Sequence, residues 1–138
     1  MRIVIDASVA VKWVLRETDS NEADALLDDN DLIAPALWLA EAANALWRNV
    51  RVGQITSAQA SARSAELLRA PVATLPIEPH VERALALAIA LDHPIYDCLY
   101  LAVALHHDTH VVTADRRFTA AAVRSEWADR VRLLGTAP

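Results

Sequence analysis

Four acidic residues of this sequence could together carry out metal-dependent chemistry. They are Asp6, Glu41, Asp97 and Asp115. Carboxylates that meet without basic partners raise one another's pKa, and a divalent cation removes that cost. Mg²⁺ and Mn²⁺ prefer oxygen ligands, and such an ion activates water near neutral pH or stabilises the attacking and leaving oxygens of an in-line displacement. A cluster of these acids would therefore suit the hydrolysis of phosphate esters without a Ser, Cys or His nucleophile.

The position of these acids in the chain sets them apart from the other acids. Asp6 directly follows the apolar run 2–5, and Asp115 follows the run 110–113 after one residue. Asp97 is the only carboxylate in the apolar helix that we predict around it. Burial of a carboxylate costs free energy unless the group is paired or bound to metal. We therefore interpret these acids as members of a site.

Each of the four acids also has an ordinary structural explanation. Asp6 and Asp115 could each cap the helix that follows, since Asp is a favoured capping residue. Asp97 could lie in a first helical turn, where the helix dipole favours negative charge. Glu41 could belong to a solvated polar stripe on its helix. That stripe would consist of Glu41, Asn44, Arg48 and Arg51. The joint pattern favours a shared function more than any single acid does.

Short apolar runs alternate with helical patterns along the chain. The predicted strands are Arg2–Ile5, Leu32–Ala34, Val72–Ile77, His110–Thr113 and Val131–Leu134. The predicted helices are Ser8–Leu15, Glu22–Asp28, Leu37–Val52, Thr56–Leu68, Pro79–Leu91, Tyr96–His106, Arg116–Val123 and Ser125–Ala128. This alternation predicts an α/β fold whose parallel sheet has helices on both faces. Ligands of such sheets bind beyond the carboxyl ends of the strands, where Asp6 and Asp115 are expected.

Four segments of the sequence resemble the PIN-domain family, and specifically the VapC-type toxins of bacterial toxin–antitoxin pairs. They are VIDASVAVKWVL (4–15), PALWLAEAANALWR (35–48), HPIYDCLYLAVA (93–104) and VVTADRRF (111–118). Each segment contains one of the four acids. Together, in this order and at this spacing, the segments are specific, and they span nearly the whole chain.

The resemblance implies a PIN-like (Rossmann-like) three-layer fold, with a central, mainly parallel sheet flanked by helices. Residues 1–138 would form a single PIN domain. Asp6, Glu41, Asp97 and Asp115 would form the acidic Mg²⁺ or Mn²⁺ site of an endoribonuclease that cleaves structured RNA such as tRNA or rRNA. The resemblance also implies a cognate VapB-like antitoxin and a homodimer.

Three further residues are candidates for supporting roles at this site. In the resemblance, Ser8 and Thr113 match small hydroxyl residues that lie near the first and the last acid and support them. Arg116 follows Asp115 directly and could contact a phosphate group of a nucleic acid. An exposed, solvated arginine would explain Arg116 equally well.

The composition neither excludes nor favours a nucleic-acid substrate. The formal net charge is −5, but if four of the 18 acids bind metal, 14 remain against 13 basic residues. No uninterrupted apolar run reaches the roughly 18 residues of a membrane helix, and Asp6 interrupts the short apolar run at the start, unlike a secretory signal. The single Cys98 cannot form an internal disulfide. We therefore expect a cytoplasmic protein without a membrane segment.

Other kinds of protein also place acids at the carboxyl edge of a parallel sheet. Phospho-acceptor receiver domains need a lysine on a late strand, and the only lysine here is Lys12. Haloacid-dehalogenase-type phosphatases need Asp-x-Asp after the first strand, where residues 6–8 read Asp-Ala-Ser. A zinc site at His106, His107 and His110 would fit no common ligand spacing. Two alternatives stay open, namely a non-catalytic PIN-like binding module and a PIN nuclease that has no antitoxin.

Overall fold

A five-stranded parallel sheet is the centre of the computed structural model, which describes residues 1–28 and 30–136. Its strands are β1 (Arg2–Ile5), β2 (Asp31–Pro35), β3 (Val72–Leu75), β4 (Val111–Thr113) and β5 (Val131–Leu133). The strand order is β3-β2-β1-β4-β5, so the chain builds the sheet outward from β1 in one direction and then in the other. Such a reversal opens a crevice where the direction changes, at the carboxyl ends of the adjacent strands β1 and β4.

Helices cover the sheet. They are α1 (Ala7–Ala10), α2 (Ser20–Ala25), α3 (Leu37–Arg51), α4 (Ser57–Leu68), α5 (Val81–Leu91), α6 (Ile95–His106) and α7 (Arg116–Val123). Short 3-10 turns occupy Val11–Trp13, Glu78–His80 and Ala128–Arg130. This arrangement confirms the predicted α/β fold with a parallel sheet flanked by helices.

The core lies between β1 and α6. Residues 3–5 of β1 are buried, and so is every residue of α6 from Cys98 to Ala104. The sequence predicted this burial, because a helix that is apolar all round has no face to present to water. The consequence for the site is rigidity, since Asp97 and Tyr100 project from a helix that is packed on all sides.

Two sequence signals for helix ends are confirmed. Thr56 Oγ1 accepts a hydrogen bond from Gln59 N at 3.1 Å, and Gln59 Oε1 accepts one from Thr56 N at 2.8 Å, which completes the capping box of α4. Gly53 follows the end of α3 with a φ of +78°. A residue with a side chain is strained at that angle, so glycine is favoured there.

Some predicted boundaries are wrong. The helix predicted over Ser8–Leu15 is only α1 followed by a 3-10 turn, in a segment whose valines lower helix propensity. The helix predicted over Glu22–Asp28 begins earlier, at Ser20, and ends at Ala25. The strand predicted to reach Ile77 ends at Leu75, because Pro76 has no N–H to donate to the sheet.

The helix predicted over Ser125–Ala128 is also absent. Residues 124–127 form a turn, and a 3-10 turn begins only at Ala128. Ser125 Oγ donates to Ala122 O at 2.7 Å and accepts from Trp127 N at 3.1 Å. These local bonds compete with helical ones, as serine side chains commonly do.

Within residues 1–28 and 30–136, no single helix is long and apolar enough to cross a membrane. The segments Glu78–Leu91 and Ile95–His106 are long and apolar enough only when taken together, and a bend of 117° lies between them.

Candidate active site

Asp6 lies at the carboxyl end of β1, in the crevice beside β4. It is buried, and its Oδ2 accepts hydrogen bonds from Thr113 Oγ1 at 2.6 Å and Ser8 Oγ at 2.7 Å. The other carboxylate oxygen, Oδ1, receives neither bond. Although Asp6 precedes α1, its side chain makes no capping bond. The capping explanation therefore fails for Asp6, and the structure instead holds its carboxylate by two hydroxyl groups.

Ser8 and Thr113 both act on the same acid. Their hydroxyl oxygens lie 3.3 Å apart, and Ser8 Oγ also accepts from Ala114 N at 2.9 Å. Thr113 Oγ1 accepts in turn from Asp115 N at 3.0 Å. The expected support of the last acid by Thr113 thus takes the form of a bond to the backbone of Asp115, while the threonine donates its proton to Asp6.

Glu41 projects from α3 towards α6. Tyr100, which is fully buried in α6, donates its hydroxyl proton to Glu41 Oε1 at 2.7 Å. A buried tyrosine hydroxyl normally finds a polar partner, so this bond ties the Glu41 carboxylate to the core. Glu41 is half-buried, which makes it more than a member of a solvated stripe.

Asp97 lies in the first turn of α6, as one of its ordinary explanations required. A 2.6 Å hydrogen bond joins its Oδ2 to Nε2 of His93, four residues earlier, in the connection between α5 and α6. The His93 ring is stacked on Phe118 of α7, with 5.6 Å between the ring centroids and 15° between the planes. This stacking fixes the imidazole, and the imidazole fixes the carboxylate.

Asp115 is the exception among the four acids because it does cap a helix. Its Oδ1 accepts from Arg117 N at 2.8 Å at the start of α7. Its charge nevertheless reaches Asp97 and contributes to the raised pKa of that residue. Asp115 thus lies at the border of the acidic cluster while its side chain caps α7.

A cavity of about 370 Å³ brings three of the four acids together. Asp6, Glu41 and Asp97 contribute to its wall, and Asp115 is not among the lining residues. The wall also contains Ser8, Asn44, Arg48 and Tyr96. The cavity lies at the carboxyl ends of the central strands, where the sequence placed the site.

The acids of the cavity hold their protons more firmly than free carboxyls do. Burial raises the pKa of Asp6 from 3.8 to about 6, although the Thr113 and Ser8 hydroxyls oppose the shift, and the Asp97 and Glu41 charges add to it. Burial raises the pKa of Glu41 as well, with a further contribution from Asp97. Burial also raises the pKa of Asp97, against the effect of its hydrogen bond from His93. The predicted mutual repulsion among the acids is present, but burial raises their pKa values more than this repulsion does.

The donor set of the cavity suits a hard divalent cation. Its potential ligands are carboxylate oxygens, and neither a thiol nor an imidazole lines the wall, which favours Mg²⁺ or Mn²⁺ over zinc. In the part of the chain that the structure describes, no three His, Cys, Asp or Glu side chains form a ready-made metal cage. Mg²⁺ usually keeps several waters and takes only one or two carboxylates besides substrate oxygens, so these residues fit it.

Three residues of the site were missed by reasoning from the sequence as site members. Tyr100 and His93 hold acids in place, and Asn44 lines the cavity. A spacing of four residues could have indicated His93 as a neighbour of Asp97, whereas Tyr100 is 59 residues from its partner Glu41 and gives no local signal. Arg116 lines a different cavity beside Arg132, so its contact with phosphate stays a prediction.

Comparison with known proteins places the sequence in a family. The family model of the PIN domain matches residues 3–124. Among curated proteins, none matches the sequence significantly.

Several solved structures share the fold. PAE2754 from Pyrobaculum aerophilum is 26% identical, with a TM-score of 0.69 over 88% of this chain and 79% of that one. VapC20 of Mycobacterium tuberculosis, a toxin that cleaves the sarcin-ricin loop, is 20% identical, with a TM-score of 0.67 over 86% and 94%. VapBC2 from Rickettsia felis, solved with a DNA fragment from its promoter, is 12% identical, with a TM-score of 0.62 over 96% and 97%.

Proposed function

Because this chain belongs to the PIN domain family, we propose that it is a Mg²⁺- or Mn²⁺-dependent endoribonuclease, the VapC-type toxin of a toxin–antitoxin pair. The observation that carries this proposal is the convergence of Asp6, Glu41 and Asp97 on one cavity, where, among residues 1–28 and 30–136, they have no basic ion-pair partner other than His93. Asp115 completes the set at its border. The proposed substrate is structured RNA such as tRNA or rRNA.

The residues of the chain orient the reactants in this proposal. When bound, the metal ion would supply the positive charge that activates water and stabilises the phosphate oxygens. Asp6 and Asp97 would hold it, with Glu41 and Asp115 as the further acids. Ser8 and Thr113 keep the Asp6 carboxylate in one orientation, because both hydroxyls donate to the same oxygen. His93 does the same for Asp97, and Tyr100 for Glu41.

Two similarities support the toxin assignment. VapC20 is a toxin that cleaves the sarcin-ricin loop, and a toxin–antitoxin complex from Klebsiella pneumoniae also has the fold of this chain, with a TM-score of 0.61. A cognate VapB-like antitoxin and a homodimer are proposed on the same ground. Val81, Leu85 and Ile89 are exposed and, at i, i+4 and i+8, share one face of α5, which is available for such association, since clustered apolar surface commonly marks a protein interface. Trp47 is exposed on α3.

The proposal is tested by incubating the purified protein with total bacterial RNA. One reaction contains Mn²⁺, the second contains EDTA, and the third contains EDTA followed by excess Mn²⁺. Discrete fragments in the first and third reactions, and intact RNA in the second, are expected. Equal cleavage with EDTA would rule out the metal mechanism. RNA that stays intact in all three reactions, with protein freed of any co-purified partner, would favour the non-catalytic binding module.

A further inference from the structure

A second polar cavity lies on the other side of the pair formed by Asp97 and His93. Its volume is about 380 Å³, and its wall includes His93, Arg117, Arg124 and Ser125. His93 thus lines this cavity while its Nε2 is bonded to Asp97, which lines the acidic one. The hydrogen-bonded pair is the partition between the two cavities, and a ligand in the second cavity lies next to the acids.

The second cavity is positively charged where the first is negatively charged. Arg117 and Arg124 are seven residues apart on and directly after α7, a spacing of about two turns that puts both on one face. Both are exposed, and neither guanidinium forms an ion pair with any of residues 1–28 and 30–136. Asp92 is the one carboxylate in the wall. The two cations are therefore available to an anionic ligand.

The wall of the acidic cavity itself also contains an available cation. Arg48 of α3 lines that cavity and is exposed, and its guanidinium has no ion-pair partner in the described part of the chain. The Asp97–His93 pair thus joins two cavity walls, of which one contains the acids and Arg48 and the other contains the two arginines. Both cavities offer cations in a protein whose net charge is −5.

We propose that the cavity lined by Arg117 and Arg124 is a subsite for backbone phosphates of the RNA, next to the acidic cavity. This inference rests on the proposed function. A nucleic-acid strand that crosses the acids carries a negative charge at every nucleotide, and the acids repel it. Guanidinium groups bind phosphate oxygens in a bidentate manner, so the arginines of the two cavities offset that repulsion and hold the strand at the site.

The test is the affinity for a labelled, single-stranded oligoribonucleotide of mixed sequence, measured by fluorescence anisotropy in EDTA so that cleavage is prevented. The double variant Arg117→Gln/Arg124→Gln removes the two charges of the cavity. The control Arg69→Gln/Arg83→Gln removes two exposed charges from α4 and α5 that line neither cavity. Thermal unfolding of each variant checks that the fold is kept, and Arg117→Lys/Arg124→Lys tests recovery by charge alone.

The inference predicts at least about a tenfold loss of affinity in the double variant and a weaker dependence on salt. Because each phosphate contact contributes about 0.7 to the slope of log affinity against log salt for single strands, the slope should fall by about 1.4. The control should keep both values near those of the wild type, and the lysine variant should recover most of the slope.

Two failures of this experiment have different meanings. If the wild type cleaves RNA with Mn²⁺ and the double variant binds like the control, the subsite is wrong while the proposed function stands. The ligand of the cavity would then be a free anion, which added inorganic phosphate would reveal by raising the melting temperature of the wild type only, or an acidic protein segment. If the wild type neither binds nor cleaves RNA, the proposed function fails and the subsite fails with it.

Discussion

The two ends of α6 each carry a cluster of titratable side chains, and the two clusters differ in whether a bound cation would relieve a charge repulsion. At the first end, Asp97 meets Asp6 and Glu41 around the cavity. At the second end, His106 lies edge-on to His80 and His107, with ring centroids 5.2 Å and 5.1 Å apart. Both clusters are partly removed from water, so both disfavour charge.

The difference lies in how each cluster can lose its charge. Burial lowers the pKa of His80 and of His107 from the usual value of 6.5, and His106 adds to both shifts, so the structure favours the neutral form of these rings, which repels no neighbour. The raised pKa of Asp6, about 6, still leaves that acid mostly ionised at pH 7. The acids therefore keep a repulsion that a bound cation would relieve, whereas the histidines do not.

The largest expected effect is on cleavage. Asp97→Asn keeps the size of the side chain but removes the charge, and should lower the rate of RNA cleavage by about 100-fold or more, since even outer partners of a metal site contribute 10- to 100-fold. Asp28→Asn removes an exposed acid outside the cavity and should leave the rate unchanged. Single-turnover cleavage with Mn²⁺ measures both. Similar rates for Asp97→Asn and the wild type would mean that the acidic end of α6 is not the active site.

The next largest effect is expected on Mn²⁺ binding, and it is tested with one histidine from each end of α6. His93→Ala removes the bond that orients Asp97 and should weaken Mn²⁺ binding about 10- to 100-fold. His106→Ala, at the opposite end of α6, should leave Mn²⁺ binding unchanged, although it also removes a ring contact. Calorimetric titration of both variants, with thermal unfolding as the check on folding, gives the two affinities. Equal losses would show that the effect of His93 is structural and not specific to the site.

A smaller effect is expected on stability in the absence of metal. The pKa of Asp6 is raised in the folded protein, so the unfolded chain is the more readily ionised state, and ionisation destabilises the fold as pH rises from about 4 to above 6. At pH 7, a shift from 3.8 to about 6 costs about 3 kcal/mol. Asp6→Asn should therefore unfold at a higher urea concentration than the wild type at pH 7 in EDTA.

The same comparison at pH 4 provides the control. The advantage of Asp6→Asn should shrink there, because the wild-type carboxyl is then protonated in the folded state. The histidines of the other end oppose the trend on acidification, since their lowered pKa favours the unfolded chain below about 6.5, but they are common to both proteins and cancel in the difference. An advantage that is constant between pH 7 and pH 4 would contradict the raised pKa of Asp6.

The smallest effect should come from Tyr100→Phe. This change deletes one hydroxyl and leaves Glu41, which is half-buried, without its partner at 2.7 Å. The expected loss of unfolding free energy is about 1 kcal/mol, with a cleavage rate reduced severalfold. Urea unfolding and single-turnover cleavage measure the two changes. A gain in stability would indicate that the hydroxyl contributes less to holding Glu41 than the geometry implies.

Much of the fold was predictable because its signals are local. The all-apolar pattern of α6, the capping box at Thr56 and the glycine after α3 each determine their element through neighbouring residues. The turn at Ser125 was not predictable in the same way, because its side-chain bonds compete with a helix that the composition alone permits. The end of β3 likewise depends on Pro76, and a pattern of apolar residues does not account for the missing N–H group of proline.

The site was predictable in its members but not in their supports. Position after a strand indicated Asp6 and Asp115, yet only the structure shows that Asp6 makes no cap and that Asp115 does. The bond from Tyr100 joins it to Glu41, 59 residues earlier, and the ring of His93 is fixed by its stacking on Phe118 of α7. Apolar patterns carry no information on such contacts. The available cations of α7 follow from which face of that helix meets His93, which is a tertiary property.

The most direct test of the acidic cluster is a Mn²⁺ titration followed by electron paramagnetic resonance, in which free ion is counted against bound ion. We expect the wild type to bind Mn²⁺, Asp97→Asn to lose about two orders of magnitude in affinity, and His106→Ala to bind like the wild type. Binding that is unchanged by Asp97→Asn, or lost on His106→Ala, would contradict the assignment of the metal site to the acidic end of α6.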